Sequence, residues 1–157
     1  MRTLILYSSK YGFTENVAGI LADHMAGDVV LQQCFKGYSV DLTQFDNVII
    51  GSSIYVGKPN GAVLDFCENY QRLLMGKRIG FFVTGNVEED ALKVIRENYP
   101  ENLVDKSKKM GYFGCEFNFE KMRFFDRFFT KLIVKKSESE VKILSKEIEN
   151  FAQKFNV

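Results

Sequence analysis

The chain has 157 residues, 46% hydrophobic and 26% charged, which is enough apolar material for a single well-buried core. Its 21 Lys and Arg offset 20 Asp and Glu, which argues against nucleic-acid binding and against a strongly acidic electron carrier, since both rely on a global field. Cys34, Cys67 and Cys115 are odd in number and form no C-x-x-C pair, which argues against a disulfide framework or a zinc site and for three packing thiols in a reducing compartment.

The first predicted strand spans residues 3–7, and the stretch SSKYGFTEN follows it at 8–16. A helix over 14–26 then places Val17, Leu21 and Met25 on one face. Strands are predicted at 29–33 and 46–50. A helix over 61–75 comes next, with Val63, Phe66, Tyr70 and Leu74 inward. The fourth strand covers 78–84, and residues 88–99 form a helix carrying Leu92, Ile95 and Tyr99. A fifth strand at 110–117 and a final helix at about 138–155, with Val141, Leu144, Ile148, Phe151 and Phe155 on one side, complete the series.

Strands that alternate with helices predict a doubly wound α/β domain in which helices cover both faces of a parallel sheet, because parallel strands need crossover connections. One domain over 1–157 is expected. Residues 120–136 are surplus to the alternation. No apolar run reaches the roughly 18 residues needed to cross a bilayer, and the N-terminal run is too short for a signal-peptide core, so a soluble cytoplasmic protein is expected.

In such sheets ligands sit beyond the carboxyl ends of the strands, where the SSKYGFTEN loop lies. Ser9 and Thr14 offer hydroxyls, Gly12 lets the backbone come close, and the first helical turn adds free N–H groups, so the loop suits an anion. The chain lacks G-x-x-x-x-G-K-[ST] and lacks G-x-G-x-x-G after the first strand, which argues against a P-loop nucleotidase and a dinucleotide site. The first strand also lacks the paired carboxylates of a phospho-acceptor receiver domain. A hydroxyl-rich loop suits a phosphate monoester.

Residues Ile5 to Thr14, with Ala18 and Leu21 beyond them, resemble the flavodoxin signature that binds the phosphate of FMN. The resemblance implies a flavodoxin-like, doubly wound, five-stranded parallel sheet of order 2-1-3-4-5. It assigns Ser8, Ser9, Lys10, Tyr11, Gly12, Phe13 and Thr14 to cofactor binding. Gly51-Ser52-Ser53-Ile54-Tyr55-Val56-Gly57-Lys58 and Val83-Thr84-Gly85-Asn86 match the places where flavodoxin-like proteins contact the isoalloxazine ring. The resemblance therefore adds Ser52, Ser53, Ile54, Tyr55, Gly57, Thr84, Gly85 and Asn86, with Tyr55 as an aromatic contact and a Gly57 peptide that rearranges when the flavin N5 is protonated. Carriers of this family are usually strongly acidic and often cover the flavin with an aromatic residue after the fourth strand. This chain is near neutral and has no aromatic between Thr84 and Asp90, so a flavin face open to a substrate is expected.

On a helix, the surplus stretch KMRFFDRFFTKLIVKK at 121–136 would gather Met122, Phe125, Phe128, Phe129, Leu132 and Ile133 on one face and Arg123, Arg127 and Lys131 on another. Such an element either packs on the sheet with its cations solvated or meets an anionic partner, a membrane face or a hydrophobic acidic substrate. Residues Arg123 to Ile133 are similar to a segment of the menaquinone-dependent protoporphyrinogen IX dehydrogenase family, and Gly51 to Ile54 followed by Gly57 also fits that family. The resemblance implies FMN-mediated oxidation of protoporphyrinogen IX with electrons passed to a quinone, peripheral contact at the inner face of the membrane, and Arg123, Arg127, Phe128 and Lys131 as the substrate or partner surface. The enterobacterial type carries histidine and tyrosine where Lys58-Pro59-Asn60 stand here, and a longer insertion after its fourth strand.

His24, the only histidine, falls too far along the first helix to serve a flavin, and Glu88, Glu89 and Asp90 read as carboxylates at a helix start. No Ser/His/Asp or Cys/His set and no metal site can be assembled, so a bound flavin would supply any redox chemistry. Three functions are consistent with the residues: a flavin enzyme acting on a porphyrinogen, a flavodoxin that carries electrons between redox proteins, and a regulatory module without turnover.

Overall fold

The computed structural model describes residues 1–117 and 140–157. Five strands, β1 (Arg2–Ser8), β2 (Asp28–Gln33), β3 (Asn47–Tyr55), β5 (Arg78–Thr84) and β6 (Lys109–Tyr112), form a parallel sheet in the order β2-β1-β3-β5-β6. The order is the expected 2-1-3-4-5 once the two-residue strand β4 (Lys58–Pro59), which pairs antiparallel with β3, is set aside.

Each central strand sends alternate residues into two cores, and this is why the strands read as continuous apolar runs. Leu4, Leu6, Val48, Ile50, Ile79, Phe81 and Val83 face one core, which includes Val63 and Phe66 of α2 (Gly61–Asn69), Ile95 of α4 (Ala91–Asn98) and Leu103 of α5 (Glu101–Lys106). Ile5, Tyr7, Ile49 and Phe82 face the other, with Val17 and Leu21 of α1 (Phe13–His24) and Ile148, Phe151 and Phe155 of α6 (Ser145–Phe155). The final helix packs close to the sheet, since a Cβ at Gly80 would lie 2.7 Å from the ring of Phe155 and 2.8 Å from that of Phe151.

Several boundaries differ from expectation. The final helix starts at Ser145, and residues Glu140–Ile143 form a strand, β8, paired antiparallel with β7 (Gly114–Phe117). Val141 is therefore 60% exposed, off the helix it was assigned to. The expected fifth strand splits at Phe113, whose buried ring stacks on Phe82 at 4.5 Å, and Gly114, at φ +112°, turns the chain away from the sheet. Backbone pairing with a distant strand decided both points, and local periodicity carries no trace of it. The helix expected over 61–75 breaks at Tyr70 (φ −104°, ψ 8°) and resumes as α3 (Gln71–Leu74). The helix expected from 88 begins at Ala91, with Ala91, Val94 and Ile95 inward and Leu92 turned to solvent at 42% exposure. The expectation for 120–136 lies outside the described residues.

Candidate functional site

The carboxyl ends of β1, β3 and β5 stand side by side, with Ser8 opposite Ser52 and Ser53 opposite Thr84. Loops leave all three, and because β2 and β3 flank β1, the connections on either side of it run in opposite directions.

The first loop is folded by its own residues. Ser9 Oγ accepts the Gly12 N–H at 3.0 Å, and the Gly12 carbonyl accepts the Asn16 N–H at 3.0 Å as α1 begins. Gly12 is the N-cap, left-handed at φ +93°, and no side chain caps the helix. A Cβ on Gly12 would meet nothing within 4 Å, so it is the backbone conformation rather than crowding that calls for glycine. The first-turn N–H groups have no intrahelical acceptor.

The Thr14 side chain, 1% exposed, shares a 2.8 Å hydroxyl–hydroxyl bond with Thr84 at the end of β5. One hydrogen serves that bond, so one of the two hydroxyls keeps a proton to give an incoming anion. Ser8 and Phe13 are buried, Phe13 within the α1–α6 core. Tyr7 is buried beneath this loop; burial first, then a hydrogen bond and the charge of Glu15, raise its phenol above the usual range and keep it neutral.

Between Tyr55 and Lys58 the β3–β4 hairpin turns through two left-handed residues, Val56 at φ +50° and Gly57 at φ +74°. This is the two-residue turn whose twist matches paired strands, and a β-branched residue in it is strained. The Ser52 hydroxyl is engaged inside the loop, accepting the Asn60 N–H at 2.9 Å and donating to the Ser53 carbonyl at 2.9 Å. These two bonds brace the hairpin. Asn60 in turn caps α2 through the Ala62 N–H at 2.8 Å.

The loop after β5 rests on the hairpin. Gly85, at φ +119°, comes so near that an added Cβ would lie 2.9 Å from the Ile54 carbonyl oxygen. Tyr112 Oη donates to the Gly85 carbonyl at 2.8 Å, and the Gly85 N–H bonds the Gly114 carbonyl at 2.9 Å. Asn86 is exposed at the tip. Glu88 forms a 2.6 Å ion pair with Lys142 of β8 instead of serving a helix start. The Lys10 ammonium bridges the first loop and the β3–β4 hairpin, 3.8 Å from the Tyr55 ring centroid and 5.6 Å from that of Tyr11. One face of the expected aromatic contact is thus covered by a cation of the first loop. Sequence reasoning did not single out Asn60, Tyr112 and Lys142 as supports, because each reads as an ordinary cap, strand aromatic or surface lysine. His24 is exposed near the far end of α1, where its carbonyl accepts from Asn156.

A family model described as a flavodoxin domain matches residues 4–142, from the first strand through the hairpin. The chain belongs to the flavodoxin domain family. In shape this flavodoxin domain is similar to oxidised flavodoxin 2 from Bacillus cereus, with a TM-score of 0.64, 22% identity, and 99% of this chain and 97% of that one covered. It is also similar to a flavoprotein in complex with FMN from Lactobacillus acidophilus, with a TM-score of 0.54, 16% identity, and coverage of 73% and 91%. In sequence, the protoporphyrinogen IX dehydrogenase [quinone] of Escherichia coli K12 is 25% identical over 149 residues, spanning 89% of this flavodoxin domain and 82% of the relative. Among the described residues, no helix is long and apolar enough to cross a membrane.

Proposed function

We propose that this flavodoxin domain binds FMN at the carboxyl ends of β1, β3 and β5 and oxidises protoporphyrinogen IX to protoporphyrin IX, passing the electrons to a quinone. The geometry that favours FMN is the uncapped start of α1 beside the left-handed Gly12 and the Thr14–Thr84 hydroxyl pair. The phosphate would be held by Ser9, by Thr14 or Thr84, and by first-turn N–H groups, with the Lys10 charge nearby. The hairpin backbone at Ser53, Ile54 and Gly57, with Thr84, Gly85 and Asn86 opposite, would orient the ring. FMN supplies the electron-accepting chemistry when bound; the chain binds it, sets its environment and leaves a face for the substrate.

The observation that carries the substrate reading is the likeness to the protoporphyrinogen IX dehydrogenase, which spans most of both chains rather than the phosphate loop alone. The carrier reading draws support from the B. cereus flavodoxin, matched over 99% of this chain. The two differ in their partner surfaces. We assign Arg123, Arg127, Phe128 and Lys131 to substrate or membrane contact. They lie outside the described residues, while the flanking strands β7 and β8 are tied to the loop after β5 through Gly114 and Lys142.

An anaerobic assay of the FMN-loaded protein with protoporphyrinogen IX, with and without menaquinone, separates the readings. The enzyme reading expects porphyrin fluorescence to grow only when both FMN and quinone are present. Reduction by a ferredoxin reductase with no porphyrin formed would establish the carrier instead.

A further inference from the structure

The opposite end of the sheet carries a second feature that the flavin reading does not use. Beside the amino ends of β3, β5 and β6 lies a cavity of about 510 Å³, bordered by Phe45, Asp46, Lys77, Arg78, Lys106 and Lys108 among others. Four cations thus face one carboxylate there, in a chain whose overall charge is only +1.

Two of the cations are fixed by main-chain oxygens. Arg78 Nη2 donates to the carbonyls of Lys154 and Phe155 at 3.2 and 3.1 Å and to a carboxylate oxygen of Val157 at 3.1 Å, while its Nε is buried without an acceptor. Lys106 Nζ donates to the Met75 carbonyl. The Lys154, Phe155 and Met75 carbonyls offset helix-end dipoles, and the Val157 carboxylate offsets the Arg78 charge, so the uncompensated charge rests on the lysines. Asp46 spends Oδ2 on the Arg2 N–H at 2.7 Å. The Lys77 and Lys108 ammonium groups form no hydrogen bond or ion pair among the described residues. The carboxylate nearest in effect to Lys77, that of Asp41, is held by Thr43 and Gln44. Helix-end capping therefore accounts for Arg78 and Lys106 and leaves Lys77 and Lys108 unexplained.

We propose that this cavity is an anion site for a phosphate group, free or on a lipid headgroup. Four cations around a concave space, two of them held by main-chain oxygens, suit a group of two or more negative charges. The proposal stands independently of flavin binding, because the cavity lies at the end of the sheet away from Ser9 and Thr14.

The test uses inorganic pyrophosphate titrated into the full chain saturated with FMN at low salt, followed by calorimetry and amide NMR. Saturable binding is expected, with shifts at 76–78 and 106–108. Lys77→Gln with Lys108→Gln should weaken it about tenfold, leaving FMN affinity and melting temperature unchanged. Lys108→Glu alone should weaken it as well. Vesicles of phosphatidylglycerol, against phosphatidylcholine as control, identify the source: retention that pyrophosphate releases marks a headgroup, and pyrophosphate binding without retention marks a free anion. The proposal fails if no saturable binding occurs, if the Lys77/Lys108 variant binds like the parent, or if the shifts fall at 9–14. That last result would report the phosphate loop, and repeating the titration without FMN separates failure there from failure here.

Discussion

Thr14 sits at the point where two loops share one hydroxyl bond, so its replacement acts on both. Removing a hydroxyl donor to a charged acceptor costs about 1.5–3 kcal/mol, so Thr14→Val should raise the FMN dissociation constant roughly 10- to 100-fold while affecting riboflavin far less. Flavin fluorescence titration measures both ligands, and an unchanged FMN constant would remove Thr14 from the site. Gly57 holds φ +74° in open space, so Gly57→Val places strain in the backbone without a steric clash. Potentiometry should show the flavin midpoint potential moving more than FMN affinity, and equal potentials would contradict a role for this peptide. The thiols give a pH prediction. Burial, and secondarily Asp65, push Cys34 up from 9.0 to about 11, and burial raises Cys67 and Tyr99 in the same direction. The unfolded chain begins to lose the Cys34 proton near pH 9 while the folded one keeps it to about pH 11. The contribution of this thiol to stability is therefore full below pH 9 and is lost between 9 and 11. Thermal melts across pH 8–11 should show a decline that Cys34→Ala reduces.

At the level of elements, the β7–β8 hairpin hangs on Gly114. Its φ of +112° and the place of the Lys142 carbonyl leave no room for a Cβ. Gly114→Ala should cost about 2–4 kcal/mol in urea unfolding or detach the hairpin, with loss of the Glu88–Lys142 pair. A variant as stable as the parent, with that pair intact, would contradict this. The hairpin also shows what the sequence could not disclose. Residues 140–143 follow an apolar pattern compatible with the helix after them, and only pairing with 114–117 makes them a strand. Leu92 was likewise placed inward by a register that Ala91, Val94 and Ile95 override. The parallel strands were legible because both faces of each are buried, giving runs such as Leu4-Ile5-Leu6 that no other element imitates. Within the site, the loop from Ser8 to Thr14 was legible from its hydroxyls and glycine. The inward turn of Thr14 to Thr84, the use of Ser52 as a brace and the covering of Tyr55 by Lys10 depend on contacts between loops distant in sequence.

Across the whole molecule, the near-zero net charge conceals cations gathered at the amino end of the sheet, while the carboxyl end carries hydroxyls, left-handed glycines and an uncapped helix start. Flavin binding by this domain depends on the carboxyl end recognising a phosphate monoester. Parallel fluorescence titrations of the purified chain with FMN, riboflavin and FAD test this most directly. One FMN per chain is expected, with riboflavin weaker for want of the phosphate and FAD weaker because its phosphate is no longer terminal. Binding of riboflavin as tight as FMN, or no FMN binding at all, would contradict it.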